Sequence, residues 1–143
     1  MSDEPIIIEE LFDSSVEKIW AAITVLPQMQ VWYFPALTSF EPTQGFQTQF
    51  IISVEEREFP HMWKVTEVIE MQKISYEWTF AGYQGKGVSS FELSNRGDKS
   101  KLVLRFTTLE KFPEEIPEFK RESGVQGWNY LIKERLKNYL ESP

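Results

Sequence analysis

The spacing of apolar residues changes twice along this chain, and each change marks a new kind of element. Ile6 to Phe12 is a short run rich in β-branched residues and predicts an opening strand. Behind it, Val16, Ile19, Trp20 and Ile23 fall at i, i+3, i+4 and i+7, the stripe of an amphipathic helix. Ser14 and Glu17 have the spacing of a capping box for its first turn. The helix should end before Pro27, because proline pushes the residue preceding it out of the α region. Pro27 itself suits the first turn of a second short helix through Tyr33, which Phe34-Pro35 closes.

From Thr38 to Leu109 the period becomes two. Phe46, Thr48, Phe50, Ile52 and Val54 share one face, and Trp63, Val65, Glu67, Ile69 and Met71 form the next alternating set. Ile74, Tyr76, Trp78 and Phe80 then oppose Ser75, Glu77 and Thr79. Val88 to Leu93 and Lys101 to Thr108 complete the run, with Leu102, Leu104 and Phe106 on one face. Turn chemistry falls at Gly45, Phe59-Pro60, Gly82 to Gly87 and Asn95 to Asp98. Strands in succession with short turns between them predict antiparallel pairing. Pro113 and Pro117 bound an acidic connector, Glu110 to Glu118, read as a solvated loop. The period then returns to that of a helix: Val125, Trp128, Ile132, Leu136 and Tyr139 form one stripe, widened by Leu131 and Leu140. A helix from roughly Phe119 to Glu141 must bury that stripe, and the inner face of the sheet is its partner. The expected fold is α+β, one domain over residues 1–143.

Composition narrows the function. The 143 residues include 11 Phe, 5 Trp and 5 Tyr, so the interior must accommodate many bulky rings. A net charge of −7 argues against sequence-independent phosphate binding, so no nucleic-acid partner is expected. The Lys133, Arg135 and Lys137 group reads as a solvated helix face. Met1 to Pro5 shows no secretory pattern, and no apolar run approaches the ~20 residues of a membrane span. The absence of cysteine excludes disulfides and thiolate chemistry and fits a cytoplasmic setting.

Candidate chemistry is sparse. His61, the one histidine, follows Phe59-Pro60 and is expected to be exposed or at a strand edge. A nucleophile motif of the G-x-S-x-G kind is absent, and one histidine without cysteine makes none of the usual zinc sets. No catalytic residue, metal or cofactor is expected. Glu67 shares the alternation of Trp63 and Val65. Pointing inward, it would anchor a ligand or act as a general acid or base. A bulge would turn it outward instead, or an ion pair with Arg105 would hold it across the sheet.

The stretches Ser15 to Thr24, Val31 to Phe34, Lys64 to Ile69 with Ile74 to Trp78, Phe91 to Leu93 with Leu102 to Leu104, and Gly127 to Leu131 through Leu140 carry a resemblance. Together they resemble the START/Bet v 1-like (SRPBCC) superfamily, in the branch related to the C-terminal domain of the activator of heat-shock protein 90 ATPase. Where many relatives have several glycines, the segment Gln44 to Thr48 keeps only Gly45. The resemblance implies a helix-grip fold, a curved antiparallel sheet around a long C-terminal helix with two short helices after the first strand. It also implies an apolar cavity between sheet and helix for a lipid, a polyketide-like aromatic or another hydrophobic small molecule, with the acidic connector at its mouth. Expected walls are Trp32, Phe50, Trp63, Tyr76, Trp78, Phe80, Trp128 and Ile132, with Glu67, Tyr76, Tyr130 or an indole orienting the ligand. The leading expectation is non-catalytic binding by a monomer or weak dimer. A co-chaperone-like domain that stimulates a chaperone ATPase is the alternative, and a cyclase or hydrolase built on Glu67 is the third. Gly124 and Gly127 suit either close helix–sheet approach or room for a ligand.

Overall fold

The computed structural model describes residues 4–141. The secretory-pattern reading of Met1 to Pro5 therefore falls partly outside the described residues. Strand β1 (Ile6–Phe12) is followed by the short helices α1 (Val16–Thr24) and α2 (Leu26–Trp32). Five further strands follow: β2 (Gln47–Val54), β3 (Arg57–Ile69), β4 (Lys73–Phe80), β5 (Lys86–Arg96) and β6 (Lys99–Glu110). They form one curved antiparallel sheet in the order β1-β6-β5-β4-β3-β2. A 3₁₀ turn at Pro117–Phe119 leads into α3 (Arg121–Asn129), a wider π-wound stretch (Tyr130–Leu136) and α4 (Lys137–Glu141), continuous as one rod over 121–141. This is the expected helix-grip arrangement. No helix among the described residues is long and apolar enough to cross a membrane.

The rod lies on the sheet's inner face through Trp128, Ile132 and Leu136, all buried. In a pure α-helix, residues four apart advance by about 40° per step around the axis. The wider turns between Tyr130 and Leu136 offset that advance and keep the three side chains aimed at the sheet. The basic residues of this helix are not a free solvated face. Lys133 and Lys137 both reach the Glu10 carboxylate on β1, at 2.7 and 2.6 Å. Arg135 donates to the carbonyls of Val31 and Trp32, which end α2. Cations thus satisfy orphan carbonyls at that helix terminus.

Several local expectations are corrected. Ser15, not Ser14, caps α1, its hydroxyl accepting the Lys18 amide at 3.2 Å. The helix starts one residue later than the Ser14–Glu17 spacing implies, and Lys18 takes the position a reciprocal glutamate would need. Phe59-Pro60 is not a turn but lies inside β3; the reversal comes earlier, between Val54 and Arg57. Pro60 is tolerated because its carbonyl accepts the Ala81 amide just past the end of β4. Its missing N–H faces that same side, beyond the last residue of β4, so the one reciprocal bond it cannot make falls at the end of the ladder.

A break in the β3–β4 register decides which way Glu67 points. Val65 pairs with Tyr76 and Glu67 with Ser75, leaving Thr66 as the extra residue of a β-bulge. The bulge inverts the alternation, so Val68 packs against the core while Glu67 and Ile69 turn outward. Glu67 is exposed and pairs with Lys73 at 3.1 Å; Arg105 lies nearest Glu92 instead. Contrary to expectation, Glu67 brings no carboxylate into the interior.

Ser15→Ala should lower stability by about 1 kcal/mol, the ordinary worth of an N-cap. Ser14→Ala should be the milder change in chemical denaturation of the two variants side by side.

Candidate functional site

The concave side of the sheet is filled unevenly. Toward one end of the helical rod, rings from α2 and from β3 to β5 pack solidly. Tyr33 stacks on Trp32 at 4.5 Å, Trp63 lies 4.6 Å from Tyr76, and Phe91 lies 6.1 Å from Tyr76. Their polar tips are met inside this plug. The Tyr33 and Tyr76 hydroxyls share a hydrogen bond at 3.0 Å, and Trp32 Nε1 donates to the Ala22 carbonyl. Trp78 Nε1 donates to Ser89 Oγ at 2.9 Å. Burial raises the pKa of both tyrosines, so they stay neutral. Trp63 Nε1 is buried without a partner among the described residues.

Toward the other end lies a cavity of about 660 Å³, inside the size range of small-molecule sites. Its helix wall is Gly124, Gly127, Trp128 and Leu131, spaced i, i+3, i+4 and i+7 on one face. The sheet contributes Ile52, Phe59, His61, Trp78, Phe80 and Phe106, among others. Residues 111–120 close the remaining side. Phe112 and Phe119 stack on each other at 5.4 Å, and Phe119 reaches Phe80 at 5.0 Å. Gly85 makes this possible, since a Cβ there would stand 2.3 Å from the Phe112 ring. Glu118 pins the connector to β3 by a two-pronged ion pair with Arg57, at 2.6 and 3.2 Å. That hydrogen-bonded guanidinium holds the Glu118 carboxyl below its usual pKa. The acidic connector is therefore a wall at the mouth, with its apolar side turned in.

The two helix glycines answer to different causes. A Cβ at Gly124 would sit 3.1 Å from Ile6 Cδ1, so close approach explains that one. At Gly127 a Cβ would meet nothing within 4 Å. That glycine leaves room.

Of the eight expected wall residues and the Glu67 anchor, Trp78, Phe80 and Trp128 line the cavity. Trp32, Phe50, Trp63, Tyr76 and Ile132 belong to the packed core beside it, and Glu67 is outside. Tyr130 is half exposed on the outer side of the helix. The residue missed is His61. Contrary to expectation it is buried, 8% exposed, because β3 begins at Arg57 and carries it onto the inner face. Extending the Trp63–Val65 alternation backward through His61 and Phe59 would have found it; the proline hid the signal. Its ring stacks on Phe50 at 4.9 Å and meets Phe34, Trp78 and Phe80 edgewise or tilted. Nδ1 lies 2.8 Å from the Phe59 carbonyl and so carries the proton. Desolvation by these apolar rings lowers its pKa to about 4, and the Phe59 bond only partly opposes this. Among the described residues no three His, Asp or Glu side chains gather as a metal site would require.

A model of the family described as activator of Hsp90 ATPase homolog 1-like protein matches residues 13–141. No curated protein matches the sequence. Among solved structures, protein CV1439 from Chromobacterium violaceum superposes with a TM-score of 0.81 at 15% identity, covering 100% of both chains. DynU16, from the dynemicin biosynthetic locus, gives 0.77 at 18% identity over 98% of this chain. The chain spans about half of DynU16, 48% of its length. CalU16 from Micromonospora echinospora gives 0.65 at 17% identity, covering 96% of this chain and 74% of that one. These likenesses establish the fold.

A histidine whose folded pKa lies below its unfolded value binds its proton more readily when the chain unfolds. Stability is therefore present above the unfolded value of about 6.5 and is lost as pH falls toward about 4. The full effect is roughly 3 kcal/mol. Denaturant melts at pH 7 and pH 5 should show the wild type losing stability and His61→Gln losing far less.

Proposed function

The chain belongs to the activator of Hsp90 ATPase homolog 1-like family, and from that premise we propose that it binds a hydrophobic small molecule, without catalysis, in the cavity between the sheet and α3. The observation that carries this reading is the cavity itself: about 660 Å³, walled by aromatic rings on sheet, helix and connector. Burying apolar ligand surface there yields about 25 cal/mol per Å² before ordering costs. Its charged residues, such as Glu4, Lys111 and Lys120, are exposed and stand at the mouth. The interior therefore suits a lipid or a fused-ring aromatic rather than a sugar or nucleotide. The likeness to DynU16, a protein of a biosynthetic locus, supports a small-molecule role. The family description speaks of an ATPase activator. A deep aromatic-walled cavity whose helix wall keeps Gly127 open weighs toward ligand binding in this chain instead. We place the protein in the cytoplasm, as one domain acting as a monomer or weak dimer.

Binding of Nile red or 1,6-diphenylhexatriene should quench Trp78 and Trp128 emission as the probe saturates the cavity. Gly127→Trp should weaken that binding by about tenfold or more, a loss of about 1.4 kcal/mol of apolar contact. The same change should not lower the melting temperature, because a helix-interior glycine is the poorer helix former by roughly half a kcal/mol. Probe binding unaffected by Gly127→Trp would place the probe elsewhere.

A further inference from the structure

One polar ring is set among the apolar rings of the cavity's wall. His61 lies among Phe34, Phe50, Trp78 and Phe80, and its Nδ1–H is committed to the Phe59 carbonyl. In that tautomer Nε2 carries a lone pair and can only accept. Nε2 has no partner among the described residues, yet it is not sealed into the packing as Trp63 Nε1 is. With His61 on the cavity lining, the space open to that nitrogen is the cavity. The other buried hydroxyls and indoles nearby, Tyr33, Tyr76, Ser89 and Trp78, are bonded to one another in the plug. A ligand thus meets aromatic walls with the His61 acceptor set among them, Thr108 being the other uncharged polar side chain of the lining.

Building on the binding reading above, we infer that the ligand is a flat, ring-bearing apolar molecule with a hydroxyl that donates its hydrogen to His61 Nε2. Flat rings match the walls, because Phe34, Phe59, Phe80, Phe106, Phe119 and Trp128 all line the space, and aromatic rings pack on one another by faces and edges. A hydroxyl matches the acceptor. A ligand hydroxyl makes the same bond to Nε2 that solvent would make, so displacing solvent there forfeits no hydrogen bond. A carboxylate does not match, since two acceptors face each other there. The histidine stays neutral at physiological pH because no charged group is among its neighbours and desolvation dominates. His61 then selects among apolar molecules instead of supplying most of the affinity. A buried acceptor that is left unpaired by a ligand lacking the hydroxyl costs more than the bond itself returns.

The test uses a matched set of fluorescent probes, 1-hydroxypyrene, 1-methoxypyrene and 1-pyrenecarboxylate, titrated into the intact protein at pH 7.5. The expected result is about three- to tenfold tighter binding of 1-hydroxypyrene than of 1-methoxypyrene, with the carboxylate weakest. His61→Phe, which keeps the ring against Phe50, should bring the hydroxy-to-methoxy ratio close to one. Should that variant fail to fold, the wild type still decides the matter. His61 is the only histidine, so ¹⁵N-histidine labelling gives one assignable pair of ring nitrogens. The Nε2 signal should move upfield on adding 1-hydroxypyrene and stay in place with 1-methoxypyrene. Equal affinity for the two probes, an unmoved Nε2, or preference for the carboxylate would overturn the His61 assignment while leaving the cavity as a binding site. If no pyrene binds, and Nile red does not either, the binding reading falls with it.

Discussion

The rest of the molecule follows from one packing constraint: a single helical rod must cover the concave face of a six-stranded curved sheet. A rod about 10–12 Å across with its side chains cannot fill such a trough alone. Other elements must supply the missing volume. Here the end of α2 does so at one end, setting Tyr33, with Trp32 stacked on it, against Trp63, Tyr76 and Phe91. The connector before α3 does so at the other end, with Phe112 and Phe119. The first filling is solid and the second is a wall. The cavity is what remains between them.

Polar groups are distributed according to that difference. In the solid end every tyrosine hydroxyl and most indole nitrogens are paired, as close packing without water demands. The hollow end has fewer such obligations, and there a ring nitrogen can keep an unused lone pair. The same gradient sets the charges. Glu118 and Arg57 meet at the mouth, where water screens them and their pairing fixes the connector's position more than it adds stability. Glu10 with Lys133 and Lys137, and Arg135 with the end of α2, hold the far half of the rod against β1 and the small helices. The rod is thus tied down by ion pairs where the core is solid, and its cavity half carries the glycines.

The elements were legible in the chain itself wherever a local period had a single cause. The stripe Trp128, Ile132, Leu136 predicts a helix that must be covered, and Ile74 to Phe80 predicts a strand with one buried face. Both hold, as does the order of elements. Legibility failed where a residue's local preference was overruled by a neighbouring strand. Pro60 carries a turn signal, yet its carbonyl is taken up by Ala81 from beyond the end of β4, a partner invisible to a local pattern. The Ser14–Glu17 spacing satisfies a capping rule that Ser15 fulfils one residue later.

What the sequence by itself determined is the inventory and order of helices and strands, and that an aromatic-rich interior lies between sheet and rod. These depend on hydrophobic periodicity, which acts over a few residues. Only the tertiary structure decided which aromatics are core and which are wall, that Glu67 faces water, and that Pro60 lies inside a strand, which extends the alternation back to His61. One inserted residue, Thr66, reverses the facing of everything beyond it in β3. Alternation has period two, so a bulge that pairing creates inverts the pattern without leaving a mark in composition.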